Sequence, residues 1–313
     1  MSKTWTLDDM PDQTGRRVLI TGANSGIGYQ TAVALARKGA TVVLACRNLT
    51  KGRAALDRLR KEAPGEAAER AELTELDLTS LDSIKETAAR ELALGLPLDG
   101  LIDNAGVLGA KRAETEDGFE LQFGTNVLGH FALTMRLLPA LERAVAARVV
   151  TVSSIAHRRG AIRFDDLQGR ERYRPIEAYQ QSKLGNLMFA IELERRLRAR
   201  SSSVMSIAVH PGVAETSLFK VGSGKGLAGV AEKLLQRTIG RLMNSDVDGA
   251  LPTLFAATAT GAKGGGYYGP QRLMEMRGGD VGPARIASQA QDEAAQRRLW
   301  DVCVELTGVG AAV

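Results

Sequence analysis

The chain is poor in the residues that mark specialised proteins. Two cysteines, Cys46 and Cys303, stand in 313 residues; they leave no disulfide framework and point to a reducing compartment. Three histidines, His130, His157 and His210, lie far apart without metal-ligand spacing, so no metal is expected. Aromatic residues make up 4% and never interleave with a basic face, and no Lys/Arg run occurs. With 41 basic against 36 acidic residues the net charge of +5 is thinly spread, and a nucleic-acid partner is not expected. No stretch approaches the ~18 apolar residues of a membrane span. Residues 1–17 are polar and mixed in charge, so no signal peptide is expected either. These absences predict a cytoplasmic protein that folds without staples, since a chain of this length buries about three quarters of its unfolded surface.

What is present is a steady alternation. Short β-branched runs at 17–21, 41–46, 69–76, 101–104, 148–153 and 204–209 alternate with helical stretches near 27–38, 49–62, 81–94, 119–145 and 178–199. Strands apolar on both faces, separated by helices, predict a parallel sheet covered on both sides. Right-handed crossovers make it an α/β, doubly wound Rossmann sheet. With no linker or internal repeat, residues 1–313 read as one NAD(P)-binding domain. Residues 1–16 form a polar N-terminal extension, 213–246 a substrate-covering loop and helix, and 270–313 a C-terminal tail packed on the domain.

The run Thr21-Gly-Ala-Asn-Ser-Gly-Ile-Gly28 follows the first strand and opens the first helix. Gly22 permits the tight turn, Gly26 lets backbone approach a pyrophosphate, and Gly28 lets the helix pack on the sheet. N–H groups from Asn24 and Ser25 through Ile27 and Gly28 would hold the anion. Where an NAD site carries an acid, about 20 residues on, this chain has Cys46-Arg47-Asn48. A guanidinium can grip a 2′-phosphate in a bidentate manner, so Arg47 and Asn48 point to NADP(H); a solvated loop arginine is the other reading. Asp77 and Leu78 end the third strand, where the carboxylate either reaches an adenine amino group or starts a helix.

Tyr179 and Lys183, four apart on the long helix, share one face. A phenol of pKa ~10 is a poor base, and a neighbouring ammonium, with the positive nicotinamide ring of an oxidised cofactor, favours its phenolate. Ser154 ends the strand run Val149-Val-Thr-Val-Ser-Ser154, where its hydroxyl could orient a carbonyl. The GxSxG elbow of a hydrolase is absent. Asp103-Asn-Ala-Gly106 closes the fourth strand, and Asn126 lies in the next helix.

Together these motifs resemble the short-chain dehydrogenase/reductase family: TGxxxGIG, NAG, N-V-x-G-x-F, V-S-S, YxxxK and a strand-terminal H-P-G, in the family's order over about 60% of the chain. The resemblance implies that Tyr179 is the acid/base, that Lys183 tunes it and binds the nicotinamide ribose, and that Ser154 positions the reacting oxygen. It also implies that Asn126 supports a water relay to Lys183. Asn104, Ala105 and Gly106 would hold the cofactor, with Pro211, Gly212, Val213 and Thr216 forming the nicotinamide-side loop. The runs Leu44-Ala-Cys-Arg-Asn48, Ser153-Ser-Ile-Ala-His157, Arg298-Leu-Trp300 and Leu306-Thr-Gly308 resemble the retinol-dehydrogenase and protochlorophyllide-reductase branch. The branch's membrane anchor and WW domain are not found in these residues, and Asp103 replaces a customary asparagine.

The expected activity is hydride transfer between nicotinamide and a medium or bulky apolar carbonyl or alcohol. A non-catalytic, NADP-binding redox sensor is the alternative; intact Ser154, Tyr179 and Lys183 count against it. An epimerase would carry TGxxGxxG and a larger C-terminal domain. His157 either touches substrate or is a surface or capping histidine, and His130 packs. The apolar positions Phe131, Leu133, Leu137, Leu187, Phe189 and Ile191 are either core or a homodimer face. The loop 215–226, bearing Leu218 and Phe219, and the amphipathic helix 227–243 are expected to cover the nicotinamide. Core packing and peripheral contact with a membrane are the other readings of that helix.

Overall fold

The computed structural model describes residues 5–63, 65–213 and 244–310. Eight strands form one sheet in the order β3-β2-β1-β4-β5-β6-β7-β8. They are β1 (Arg17–Thr21), β2 (Thr41–Cys46), β3 (Glu72–Glu75), β4 (Gly100–Asp103), β5 (Arg148–Val152), β6 (Met205–Val209), β7 (Tyr267–Arg272) and β8 (Arg277–Pro283). Seven run parallel, and β8 returns antiparallel to β7. The expected doubly wound α/β Rossmann sheet is therefore present.

The helices are α1 (Gly26–Arg37), α2 (Leu49–Glu62), α3 (Leu81–Ala93), α4 (His130–Leu141), α5 (Pro175–Ala199), α6 (Asp246–Thr258) and α7 (Glu293–Thr307). Strand residues divide by parity, as the pleat requires. Val18, Ile20, Val42 and Leu44 join the core under α1 and α6, whereas Leu19, Val43, Leu101 and Val149 join the core under α4 and α5. Strand order reverses between β1 and β4, and such a switch point opens a crevice at the carboxyl ends of the strands.

Three local features depart from the sequence reading, and a fourth decides between two readings it left open. The helix expected over 119–145 is a short turn, a π-helical turn Gly124–Gly129 and then α4. α5 begins earlier than expected, with Pro175 in its first turn, where a missing N–H costs nothing. β7 and β8 went unread, because YYGPQR and RGGDVGP carry glycine and proline in place of β-branched residues. Finally, the apolar face of α4 and α5 is covered by the chain itself. Trp300 of α7 lies 5.0 Å from Phe131 and 6.0 Å from Phe189, ring centre to ring centre. Phe131, Leu133, Leu137, Leu187 and Phe189 are buried there as core.

Candidate active site

The cleft at the switch point has a volume of about 1070 Å³ and gathers most of the residues singled out in the sequence. At one end lies the glycine turn. Gly22 and Gly26 have φ of +67° and +58°, in the left-handed region that favours glycine. A Cβ on Gly28 would stand 2.4 Å from Nδ2 of Asn104 and 2.8 Å from the Gly22 carbonyl, so no side chain fits. Ser25 is the N-cap of α1, yet its side chain makes no capping bond. The helix N-terminus therefore faces the cleft without a side-chain acceptor of its own.

Thr21 ties this turn to β4. Its Oγ1 accepts from the N–H groups of Asn104 and Ala105, both at 2.9 Å, and Asn104 Nδ2 donates back to the Thr21 carbonyl at 2.8 Å. The same hydroxyl lies 3.0 Å from Nε2 of His130, whose Nδ1 lies 3.0 Å from the Asn126 carbonyl. His130 thus packs, as expected, but it also clips the glycine turn to the π turn. Burial holds it well below the usual histidine range, at about 4. Thr21 opens TGxxxGIG and His130 stands inside N-V-x-G-x-F, yet neither motif announces this link.

At the ends of β2 and β3, Arg47 and Asp77 line the cleft with Leu78. Arg47 is 67% exposed and its Nε stands 3.9 Å from Asp77 Oδ2, a loose surface pair. Asp77 Oδ1 accepts from the Thr79 backbone at 2.9 Å and from its hydroxyl at 2.8 Å, which orients the carboxylate. Asn48 is engaged elsewhere: its Oδ1 accepts from Lys51 N at 2.9 Å, capping α2, and it does not line the cleft.

At the middle of the cleft stand Ser154, Tyr179 and Lys183. The helical turn from Tyr179 to Lys183 sets the Lys183 Nζ 5.8 Å from the phenol ring centre. That ammonium is buried and donates to the Val152 carbonyl at 2.9 Å. Burial brings its pKa down to about 8. The Tyr179 phenol is pushed above its ordinary value by burial, against the pull of a hydrogen bond with Ser154. Among the chain's own groups burial outweighs that bond, and the Lys183 ammonium bonds the β5 backbone; the expected lowering also counts on the positive nicotinamide ring of a bound oxidised cofactor.

Asn126 lies behind the cleft wall, fully buried in the π turn. It exchanges hydrogen bonds with Val107, at 2.8 Å from its N–H and 3.1 Å to its carbonyl, and donates to Ser182 Oγ at 2.9 Å. A Cβ on Gly106 would stand 3.4 Å from both Asn126 Oδ1 and Lys183 Nζ, an ordinary contact that places this glycine beside both groups. Asp103 is buried beside them. It accepts from Thr134 Oγ1 at 3.0 Å, its Oδ1 has no partner among the described residues, and burial raises it to about 8.

Pro211, Gly212 and Val213 line the cleft; Thr216, the loop 215–226 and the helix 227–243 lie outside the described residues. His157 neither touches the cleft nor reaches the surface. It is buried against the Ser154 carbonyl at 2.7 Å and held at about 4 by that burial. Arg158, Arg159, Ile176, Met274 and Met276 also line the cleft and were not foreseen. Among the described residues there is no metal-binding cluster, and no helix is long and apolar enough to cross a membrane.

The family model for short chain dehydrogenase matches residues 16–224. Mouse (Mus musculus) polyprenol dehydrogenase is 42% identical over 307 residues, 96% of this chain and 86% of that protein. Mouse retinol dehydrogenase 12 is 39% identical, covering 94% of this chain and 87% of its own length. A solved structure from Mycobacterium paratuberculosis, described as an uncharacterized protein, is 41% identical, covers 98% of both chains and superposes with a TM-score of 0.77. A short chain dehydrogenase from Shigella flexneri 2a, solved with NADP, is 24% identical, covers 83% of this chain and 98% of that one, and shares the fold with a TM-score of 0.61.

Proposed function

Since the chain belongs to the short-chain dehydrogenase family, in its retinol-dehydrogenase-like branch, and acts on alcohol or carbonyl groups, we propose that it is an NADP(H)-dependent reductase of medium or bulky apolar carbonyl compounds, working reversibly on the matching alcohols. One observation carries this reading. Ser154, Tyr179 and Lys183 line the same cleft as the glycine turn.

The chain's own residues fit such a cofactor. The side-chain-free N-terminus of α1 offers N–H groups to a pyrophosphate. Arg47, exposed on the wall and with no acid in its place, suits a 2′-phosphate. Asp77 lies within reach of the same end, and Asn104, Ala105 and Gly106 close the floor. When bound, the cofactor supplies or takes the hydride. Ser154 orients the reacting oxygen, and Tyr179 gives or takes the proton at that oxygen through its phenol. Lys183, anchored on Val152, presents its ammonium to the ribose, and Asn126 braces the wall behind it.

The phenol lies above its ordinary pKa, so its neutral form dominates near pH 7. That form can donate its proton to the carbonyl oxygen during reduction, and its phenolate can take one during oxidation. Apolar substrate preference is supported by Ile155, Ile176, Met274 and Met276 on the cleft wall, and by relatives named for polyprenol and retinol. The test is NADPH oxidation against a panel of aldehydes, ketones and quinones, repeated with NADH. Faster use of NADPH, with apolar aldehydes leading the panel, is expected; preference for NADH or for small polar carbonyls would refute it.

A further inference from the structure

Residues 273–276, between β7 and β8, form a turn with three successive non-glycine residues in the left-handed region. Their φ values are +48° for Leu273, +56° for Met274 and +68° for Glu275. Such a backbone persists only where its surroundings over-determine it, and it clusters at ligand sites.

Here the surroundings do so. The Glu275 carboxylate bonds Arg158, lies 3.2 Å from His210 Nε2, and accepts the Arg285 N–H at 3.1 Å. The Met276 carbonyl accepts from Val213 N at 2.8 Å, and Gly278 N donates to Asn244 Oδ1 at 3.0 Å. A Cβ on Gly212 would stand 2.5 Å from the Met276 carbonyl, so the turn presses on the Pro211–Gly212 backbone without a gap. Arg158 belongs to the 3-10 helix Ile155–Arg159 that Ser154 opens. Glu275 therefore joins the hairpin to both backbone segments that flank the reacting groups.

What this anchoring presents is apolar. With Glu275 turned inward, Met274 is 79% exposed and lines the cleft with Met276; across the same cleft, Ile176 is 59% exposed. Exposed apolar side chains gathered at a cleft mouth have no role in the core and mark a ligand surface. Methionine, unbranched and polarizable, moulds to flexible chains.

We propose that this turn is the specificity-determining wall of the substrate site: Met274 and Met276 hold the apolar chain of the substrate beyond its reacting carbon, and Glu275 is the positioning residue that fixes the wall against Ser154's helix and the Pro211–Val213 loop. The substrate class is a carbonyl or alcohol with an extended hydrocarbon chain. This rests on the apolar-substrate reading above.

The test uses the full chain with NADPH and the series butanal, hexanal, octanal, decanal. In the wild type kcat/KM rises with chain length. Met274→Ser lowers kcat/KM for decanal about tenfold, the scale of a lost apolar subsite. That loss falls on KM, with butanal within about twofold of wild type, and Met274→Leu restores decanal. Calorimetry with 1-decanol and NADPH, a pair that cannot react, should show the same weakening in Met274→Ser. NADPH affinity, read by its fluorescence, should not move. A rising wild-type series left unchanged by Met274→Ser would overturn the hairpin's role alone. A flat or falling wild-type series would overturn the apolar-substrate reading and this inference with it.

Discussion

At the β1–β4 end of the cleft the wall is backbone; at the β6–β8 end it is side chain. Gly22, Gly26 and Gly28 expose peptide groups, and the contacts there are fixed by Thr21 and Asn104 across the sheet. Such a surface recognises an invariant partner, because peptide dipoles cannot be varied by substitution. The hairpin end offers Met274 and Met276 on a strained turn held by one carboxylate. Side chains there can change without disturbing the sheet. One end is thus built for a common cofactor and the other for a particular substrate, with Tyr179 between them.

Replacing Tyr179, between the two ends, should have the largest effect, and it should fall on the chemical step. Tyr179→Phe is expected to lower kcat by ~10²–10⁴, the usual contribution of a positioned acid or base. Its NADPH affinity should stay within about twofold; a near-normal kcat would remove the proposed proton donor.

Arg47→Asp should act at the cofactor end only. Charge-assisted hydrogen bonds contribute about 1.5–3 kcal/mol, so the ratio of kcat/KM for NADPH over NADH should fall by about 10- to 100-fold. The aldehyde chain-length profile should keep its slope. A changed slope with an unchanged cofactor ratio would invert the division between the two ends.

Gly28→Ala forces a Cβ into Asn104 Nδ2 and the Gly22 carbonyl. Overpacking of this kind costs about 1–3 kcal/mol. The melting temperature should drop, and added NADPH should raise it less than it raises the wild type. An unshifted melting curve would mean that the turn yields easily.

The smallest expected effect is at Asp103. Its folded pKa of about 8 lies above the ordinary 3.8, so the folded chain holds a proton that the unfolded chain releases. The stability this adds is complete below pH 3.8, declines as pH rises and is gone above about 8. Asp103→Asn carries no such slope. Its melting temperature relative to wild type should therefore climb between about pH 5 and 8.5, by the equivalent of about 1 kcal/mol or more. Differential scanning fluorimetry at several pH values reads this, and a constant offset would contradict it.

The cofactor end was legible in the sequence because its physics is local. A tight turn needs glycine at fixed offsets, and a helix N-terminus follows from the next residues in line. Tyr179 and Lys183 were likewise readable from one helical turn. The substrate end was not. β7 and β8 are rich in glycine and proline, so neither shows strand periodicity, and Met274 gains its place only through long-range bonds from Glu275 to Arg158 and His210. Burial was hidden too. His157 sits in a short exposed-looking run but is enclosed by Tyr267 and the backbone of Ala287. Asn48, in line with Arg47, was claimed first by its own helix as a cap.

Tyr179 is expected to hold its proton at neutral pH and to donate it to a carbonyl. The most direct measurement is the pH dependence of kcat/KM in both directions, with decanal and NADPH, then 1-decanol and NADP. Reduction should hold steady through neutral pH; a step near pH 8 would report Lys183 losing its proton, and the fall from loss of the phenol proton comes only above that group's ordinary range. Oxidation should climb toward the alkaline end of the range, as phenolate forms above the phenol's ordinary value. Reduction that climbs with pH, or oxidation already maximal in mild acid, would contradict a phenol held protonated by burial.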